Sequence, residues 1–164
     1  MTRKRIPMEV VLRRQTLPAG IRARGVRPED KDSLGILLFA AYRGTIDDEG
    51  GPFAEALEEV DKTFRGDYGR FLPGCSFVVE EGDFLSSACL VSFFEPHDAP
   101  LVVFLMTRPE MKRRGLAQLV LQRSMNALLD EGYRRLTLVV TDGNGPAQEL
   151  YREFGFTPIR AAAV

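Results

Sequence analysis

The feature that most constrains the fold is a strand–helix–strand unit near the carboxyl end of the chain. The apolar run LVVFLMT, residues 101–107, predicts a strand, and Pro109 ends it. A helix is predicted from about residue 113 to residue 131, because apolar and small residues recur on one face and Gly132 ends the pattern. The run YRRLTLVVT, residues 133–141, predicts a second strand. A helical crossover joins parallel strands, so the unit predicts a parallel pair in a mixed α/β domain.

The segments around this unit predict further strands and helices. In chain order they are two strands within residues 8–26, helices over 28–42 and from about 52, strands over 75–81 and 84–94, and a short helix within 142–156. The order β-β-α-α-β-β-β-α-β-α predicts an α+β (mixed α/β) fold. We interpret the 164 residues as a single domain, 1–164, in which residues 1–19 form an extra strand or arm.

The turn KRRGLA, residues 112–117, carries the first chemical signal. It opens a helix, and the unpaired N–H groups and positive dipole end of a helix N-terminus attract phosphate. Gly115 and Ala117 leave room for a diphosphate to approach the backbone, and three cations precede them. The spacing matches neither the P-loop, which needs Gly-Lys-Ser/Thr, nor the three-glycine dinucleotide motif. Taken alone, the turn is equally well interpreted as a solvated helix start.

A second motif lies in the last predicted helix, and the two motifs are informative together. It comprises Asn144, Ala147, Leu150, Tyr151, Gly155 and Phe156. With KRRGLA, in this order and on this framework, it resembles the GNAT superfamily of acetyl-CoA-dependent N-acyltransferases, although Lys112 replaces the usual Gln or Arg of the first motif. The resemblance implies a central, mixed and mostly antiparallel sheet flanked by about four helices. It also implies that residues 105–156 form the acetyl-CoA-binding core.

The resemblance also implies roles for individual residues. The main chain of Leu105, Met106 and Thr107 would pair with the pantetheine arm and polarise the thioester carbonyl. The diphosphate would be held by Lys112, Arg113, Arg114, Gly115, Leu116 and Ala117. Asn144 would contact the pantetheine, or simply begin a helix. Tyr151 would protonate the departing thiolate, for which it needs nearly its ordinary pKa of about 10, or else it is a core aromatic.

A general base is harder to find. Neutralising a lysine-like ammonium at pH 7 costs roughly 4.6 kcal/mol. Relatives carry a glutamate at the position of Leu101 or of Val139, and these apolar residues disfavour histone-type lysines and ribosomal-protein N-termini as acceptors. The remaining acids lie in two loops, Asp47, Asp48 and Glu49 in one, and Glu95 and Asp98 beside His97 in the other. We interpret both as solvated loop charges, although the first loop would attract a cationic amine if it acted.

Composition limits the other function classes. The 22 Lys and Arg against 23 Asp and Glu give a net charge of −1, which disfavours a nucleic-acid module. Cys75 and Cys89 sit in apolar runs and are interpreted as small buried hydrophobes; with one histidine in the chain, no metal site is predicted. The N-terminus lacks the apolar core of a signal peptide and no membrane span is predicted, so we expect a cytoplasmic protein.

We therefore expect an N-acetyltransferase that uses acetyl-CoA and a small-molecule or peptide primary amine, which attacks directly in a ternary complex. A non-catalytic acyl-CoA-binding or regulatory domain is the alternative, because the usual base is absent. The resemblance also implies a C-terminal hairpin, for which TPIRAAAV, residues 157–164, supplies one strand at most. The N-terminal strand would cover the exposed sheet edge, or a second copy of the chain would do so as a homodimer.

Overall fold

The computed structural model describes residues 3–160, which form one eight-stranded sheet with four α-helices. The helices are α1 (Lys31–Tyr42), α2 (Phe53–Arg65), α3 (Leu116–Asp130) and α4 (Gly145–Glu153). The strands are β1 (Arg5–Val11), β2 (Arg24–Gly25), β3 (Arg70–Phe71), β4 (Phe77–Glu81), β5 (Phe84–Phe94), β6 (Ala99–Thr107), β7 (Arg135–Thr141) and β8 (Thr157–Pro158). The predicted mixed, mostly antiparallel architecture is confirmed, and residues 1, 2 and 161–164 of the predicted domain lie outside the described part.

The sheet has the order β2-β4-β5-β6-β7-β1-β8, with β3 beside β5. Every recorded pairing is antiparallel except that of β6 with β7, as the helical crossover predicted. The parallel ladder covers only two residue pairs, Leu101 with Thr137 and Val102 with Leu138. A β-bulge in β6 follows at once, where the register against β5 shifts between Leu90 and Val91. Beyond Val102, β6 and β7 therefore separate, and the separation opens the sheet at its centre.

Helices cover both faces of the sheet because its strand residues alternate. Val78, Ala88 and Leu90 face α1 and α2, whereas Phe77, Cys89 and Val91 face α3. All six are buried, with at most 7% of each residue exposed. Because both faces of the central strands are covered by helices, their sequences are nearly continuous apolar runs and do not alternate between apolar and polar residues.

The N-terminal strand β1 covers the edge of β7, which is the first of the two alternatives that the sequence analysis gave for this sheet edge. β1 pairs antiparallel with β7 along its whole length, from Arg5 with Thr141 to Val11 with Arg135. Its other edge takes the short β8, through Met8 with Pro158 and Glu9 with Thr157. The edge of β7 is thus covered within one chain.

Two boundaries differ from the sequence prediction for physical reasons. The third helix begins at Leu116 instead of residue 113, because Arg113 (φ 67°) and Gly115 (φ 77°) adopt left-handed backbone that an α-helix cannot include. The second predicted strand shrinks to Arg24–Gly25, since residues 12–23 cross the molecule as an irregular arm. In that arm Arg14 pairs with Asp130 of α3 at 2.6 Å.

Candidate active site

A cleft of about 540 Å³ lies where β6 and β7 separate. Its walls are the end of β6 with the turn into α3, and the end of β7 with α4. The C-terminal end of α1 and the loop after it close a third side, through Ala41, Tyr42, Thr45, Ile46 and Asp47. The cleft therefore joins three parts of the chain that are far apart in sequence.

The first wall is the turn between β6 and α3, where backbone N–H groups are free. The Gly115 carbonyl accepts from the N–H of Leu119 at 3.0 Å, which is the first turn of α3. Within the described chain, nothing accepts a hydrogen bond from the backbone N–H groups of residues 113–118. The left-handed Arg113 and Gly115 turn the chain so that it enters the helix without a capping side chain. Several unpaired N–H groups at a helix start form an anion-binding arrangement.

Three cationic side chains stand beside these N–H groups. Lys112 and Arg113 line the cleft, and the exposed Arg114 next to them does not. In the part of the chain that the structure covers, none of these side chains forms an ion pair with a carboxylate. The turn thus carries an uncompensated positive charge facing the cleft.

The strand edge of β6 forms the floor of the cleft. Leu105, Met106 and Thr107 pair on one side with β5, through Cys89, Ala88 and Ser87. Their side toward β7 has no strand partner among the described residues, because the parallel ladder ends at Val102. A strand edge in this state can pair its backbone groups with an extended ligand, as in strand addition.

Tyr151 of α4 faces this edge from the opposite wall. Its ring packs edge-on against Phe156, with centroids 5.7 Å apart, and its hydroxyl has no hydrogen-bond partner in residues 3–160. Burial, followed by the nearby Tyr42, Cys89 and Asp47, raises the pKa of Tyr151 above its ordinary value. The sequence argument required a pKa near 10, and the structure departs from that requirement. The hydroxyl is therefore firmly protonated at neutral pH, so it is a hydrogen-bond donor and a weak acid.

Tyr42, the last residue of α1, is a second phenol in the cleft that the sequence did not reveal. Burial, and then the charge of Asp47, raises its pKa too. Its ring packs at 6.2 Å from that of Phe104 in β6. The only sequence signal was its place on the apolar stripe of α1, which indicates burial and not a site.

Asn144 begins α4 and also binds the loop after α1. Its side-chain oxygen accepts from the N–H of Ala147 at 3.3 Å, which caps the helix, and its amide nitrogen donates to Asp47 at 3.4 Å. Thr141, at the end of β7, donates its hydroxyl to the other oxygen of Asp47 at 2.6 Å. The helix-start interpretation of Asn144 is thus realised, and its side chain also orients Asp47 in the cleft.

The three acidic residues of the loop after α1, Asp47, Asp48 and Glu49, have different surroundings. Asp47 is partly buried and lines the cleft. Asp48 points away and accepts from the N–H groups of Gly44 at 2.7 Å and Gly50 at 2.8 Å, which hold its pKa below the ordinary value. Glu49 is exposed and lies outside the cleft. The interpretation as solvated charges therefore suits Asp48 and Glu49 and does not describe Asp47.

The second acidic loop lies elsewhere. Glu95, His97 and Asp98 precede β6, whose nine residues place them roughly 25 Å from the turn at its other end. The Nδ1 atom of His97 hydrogen-bonds with Thr137 at 2.8 Å, and burial together with Arg135 lowers the pKa of the imidazole. None of these residues lines the cleft.

The cysteines are free thiols buried in the core, as the sequence indicated. Burial raises the pKa of Cys89 to about 12, so its thiolate is scarce at neutral pH. Burial also raises the pKa of Cys75 to about 12, and the negative charge of Glu131 adds to this effect. Neither thiol lines the cleft.

The cleft gathers all but one of the residues to which the family resemblance assigned a role. They are Leu105, Met106, Thr107, Lys112, Arg113, Gly115, Leu116, Ala117, Asn144 and Tyr151, and Arg114 is the exception. The residues that sequence reasoning missed come mainly from α1 and its following loop, which match no motif. Gly143, which also lines the cleft, was missed as well. It has a left-handed φ of 94°, and the Ile46 side chain lies 3.3 Å from where a Cβ would stand. Because glycine has no Cβ, the turn after β7 can pack closely against the loop after α1.

Comparison with known proteins gives an independent result. Residues 39–156 match the family model described as the acetyltransferase (GNAT) family. No curated protein sequence matches the chain. No helix within residues 3–160 is long and apolar enough to cross a membrane.

Solved structures share the fold at low sequence identity. A GCN5-related N-acetyltransferase from Sphaerobacter thermophilus aligns with a TM-score of 0.69 and 20% identity over 96% of this chain, which spans only 49% of that protein. A GNAT family acetyltransferase from Brucella melitensis, in complex with acetyl-CoA, aligns with a TM-score of 0.62 and 20% identity over 88% of this chain and 90% of that one. AAC(6′)-Iy, in complex with the bisubstrate analogue CoA-S-monomethyl-acetylneamine, aligns with a TM-score of 0.65 and 14% identity over 89% and 97%.

Proposed function

The chain belongs to the acetyltransferase (GNAT) family, and from that premise we propose that it transfers the acetyl group of acetyl-CoA to a primary amine by direct attack in a ternary complex. The observation that carries the proposal is the single cleft in which the free N–H groups of residues 113–118, the unpaired edge of β6 and Tyr151 meet. The acetyl-CoA complex of the Brucella melitensis neighbour and the CoA-containing bisubstrate analogue bound to AAC(6′)-Iy support it by likeness of fold.

The turn into α3 is suited to the diphosphate of acetyl-CoA. Its free N–H groups donate to phosphate oxygens, and Lys112 and Arg113 balance their charge. The β6 edge at residues 105–107 pairs with the amide groups of the pantetheine arm and directs an N–H group at the thioester oxygen. Acetyl-CoA itself supplies the activated acyl group.

Direct transfer is supported by the surroundings of the thiols. A covalent acetyl carrier needs an accessible thiolate, and Cys89 is fully buried, with its pKa raised to about 12. The nitrogen of the neutral amine, after its ammonium proton has passed to water, therefore forms a bond to the carbonyl carbon while the carbon–sulfur bond breaks. Tyr151 donates a hydrogen bond to the sulfur as charge develops there. Because its raised pKa makes it a weak acid, the proton that the new amide nitrogen loses is the one that completes the CoA thiol.

The experiment is a measurement of thiol release from acetyl-CoA with a panel of amines, beside calorimetric measurement of acetyl-CoA affinity. The wild-type protein should release thiol with at least one amine, and Tyr151→Phe should lower kcat about a hundred-fold with acetyl-CoA affinity unchanged. Because the hydroxyl makes no hydrogen bond within residues 3–160, this variant should keep its melting temperature. Acetyl-CoA binding without turnover on any amine would instead favour a non-catalytic acyl-CoA-binding domain.

A further inference from the structure

Asp47 is a carboxylate in the cleft that the transfer step described above does not use. It is partly buried, and its two oxygens accept from Thr141 at 2.6 Å and from Asn144 at 3.4 Å. A carboxylate has about four acceptor sites, so these two hydrogen bonds leave sites free on the same group. Both donors are neutral, and they fix the orientation of the carboxylate without cancelling its charge.

Asp47 has no ion-pair partner within the described chain, although two cations lie near the same wall: Arg5 is opposite Thr141 in the β1–β7 ladder, and Arg3 lies beside Gly143. None of the ion pairs formed by residues 3–160 includes it, although its neighbour Asp48 is tied to backbone N–H groups. A partly desolvated carboxylate without a counter-ion is costly, and a ligand cation would offset that cost.

The charges that line the cleft are segregated by wall. Lys112 and Arg113 stand on the wall formed by β6 and α3, and Asp47 stands on the wall formed by β7, α4 and the loop after α1. All other lining residues are uncharged at neutral pH. A cleft with one positive and one negative wall is complementary to two ligands of opposite charge.

The geometry points to Asp47 as the residue that binds the ammonium group of a cationic amine acceptor, held in position by Thr141 and Asn144. This assignment rests on the proposed acetyl transfer and adds the substrate class: alkylamines or polyamines that are protonated at neutral pH. Asp47 acts in binding and not as the proton acceptor, because a carboxylate is a far weaker base than an alkylamine.

The test separates binding from turnover. Linear alkylamines and α,ω-diamines, each paired with the alcohol of the same carbon skeleton, are titrated calorimetrically into the protein saturated with CoA. Wild type should bind at least one ammonium about ten-fold or more tightly than its alcohol, and Asp47→Asn should abolish that preference. Glu49→Gln, an exposed acid two residues away, should keep it. In turnover, Asp47→Asn should raise the KM of the amine by a similar factor at unchanged acetyl-CoA affinity.

The outcomes are distinguishable. If wild type prefers none of the ammonium ions, if Asp47→Asn keeps the preference, or if it weakens acetyl-CoA binding instead, the assignment is wrong. If ammonium ions bind through Asp47 while no amine is acetylated, the cation site stands and the proposed transfer fails. If amines are acetylated with equal KM by all variants, the transfer stands and the cation site fails. Thr141→Val, which removes the 2.6 Å donor, should weaken ammonium binding in the same direction.

Discussion

At the scale of single residues, the turn into α3 depends on backbone shape more than on charge. Gly115 has φ 77°, and a Cβ built there meets nothing within 4 Å. A side chain at this position would therefore not clash with the protein, but it would pay about 1–2 kcal/mol for the left-handed backbone and stand over the free N–H groups. Arg114 is exposed and lies outside the cleft.

We predict that Gly115→Leu weakens acetyl-CoA binding at least ten-fold and that Arg114→Ala weakens it by less than three-fold. Calorimetric dissociation constants for acetyl-CoA measure both. Gly115→Ala, which changes the backbone preference with a minimal side chain, separates strain from steric blocking. The reverse ranking of Gly115→Leu and Arg114→Ala would show that charge, not the N–H groups, dominates this turn.

The two partly buried phenols of the cleft, Tyr42 and Tyr151, predict how stability depends on alkaline pH. In the folded protein the pKa values of Tyr42 and Tyr151 are raised, so above about pH 10 the unfolded chain loses phenolic protons that the folded chain keeps. The free energy of unfolding should therefore fall above this pH, by about 1.4 kcal/mol per pH unit for each phenol.

Denaturant titrations of wild type and Tyr42→Phe/Tyr151→Phe between pH 8 and pH 11 measure this slope. The double variant should show a flatter alkaline decline than wild type. Equal slopes would mean that neither phenol is shielded from solvent in the folded state.

At the scale of elements, the start of α1 is held by a partly buried ion pair. Arg24 of β2 contacts Asp30 at 2.8 Å, and Asp30 also accepts from the N–H of Arg27 at 2.7 Å. Burial alone would raise the pKa of Asp30, but these hydrogen bonds hold it below the ordinary value. Because α1 supplies Tyr42 and leads into Asp47, this pair also fixes the third side of the cleft.

We predict that Asp30→Ala destabilises the protein by about 2–3 kcal/mol at neutral pH, since it removes a buried carboxylate and leaves Arg24 only the half-exposed Glu80, at 3.0 Å, as a partner. A depressed folded pKa contributes stability above about pH 4 and loses it as the pH falls through that pKa, so the difference from wild type should shrink in acid. Urea titrations at two pH values measure it. Glu29→Ala, an exposed acid in the same turn, is the control and should have a smaller effect.

The elements also show what the sequence can and cannot predict. The helices, long strands and parallel crossover follow from apolar periodicity, and the motif residues fall in the cleft because the motifs describe backbone turns that nearby residues dictate. The start of α3 was misplaced because left-handed Arg113 has no sequence signal. Tyr42 could not be identified, and Asp47 could not be distinguished from Asp48 and Glu49, since their positions depend on how the loop after α1 packs on Gly143 and Asn144, nearly a hundred residues away.

At the scale of the whole molecule, the N-terminal strand links the two ends of the chain to the cleft. β1 pairs with β7 through seven residue pairs, and Lys4 accepts from the N–H of Asp142 at 2.8 Å in the turn that precedes α4. Its Met8 and Val10 side chains are buried with Phe156, the last residue of the second motif. The wall of the cleft that carries Thr141 and Asn144 is therefore supported from outside by residues 4–11.

Two neighbouring valines of β1 allow a test of how much this strand stabilises the protein, because the same Val→Ala substitution can be made at a buried and at an exposed position. Val10 is 8% exposed and packs into the core, whereas Val11 is 66% exposed on the other face of the strand. Val10→Ala should cost about 2 kcal/mol, because it removes buried methyl groups and leaves a small cavity, and Val11→Ala should stay within about 0.5 kcal/mol of wild type. Thermal unfolding followed by circular dichroism measures both.

Deleting residues 1–16 removes the whole strand and should lower the melting temperature far more than either substitution. If the deletion leaves that temperature unchanged, β1 is dispensable, and the edge of β7 is stable without a strand from this chain.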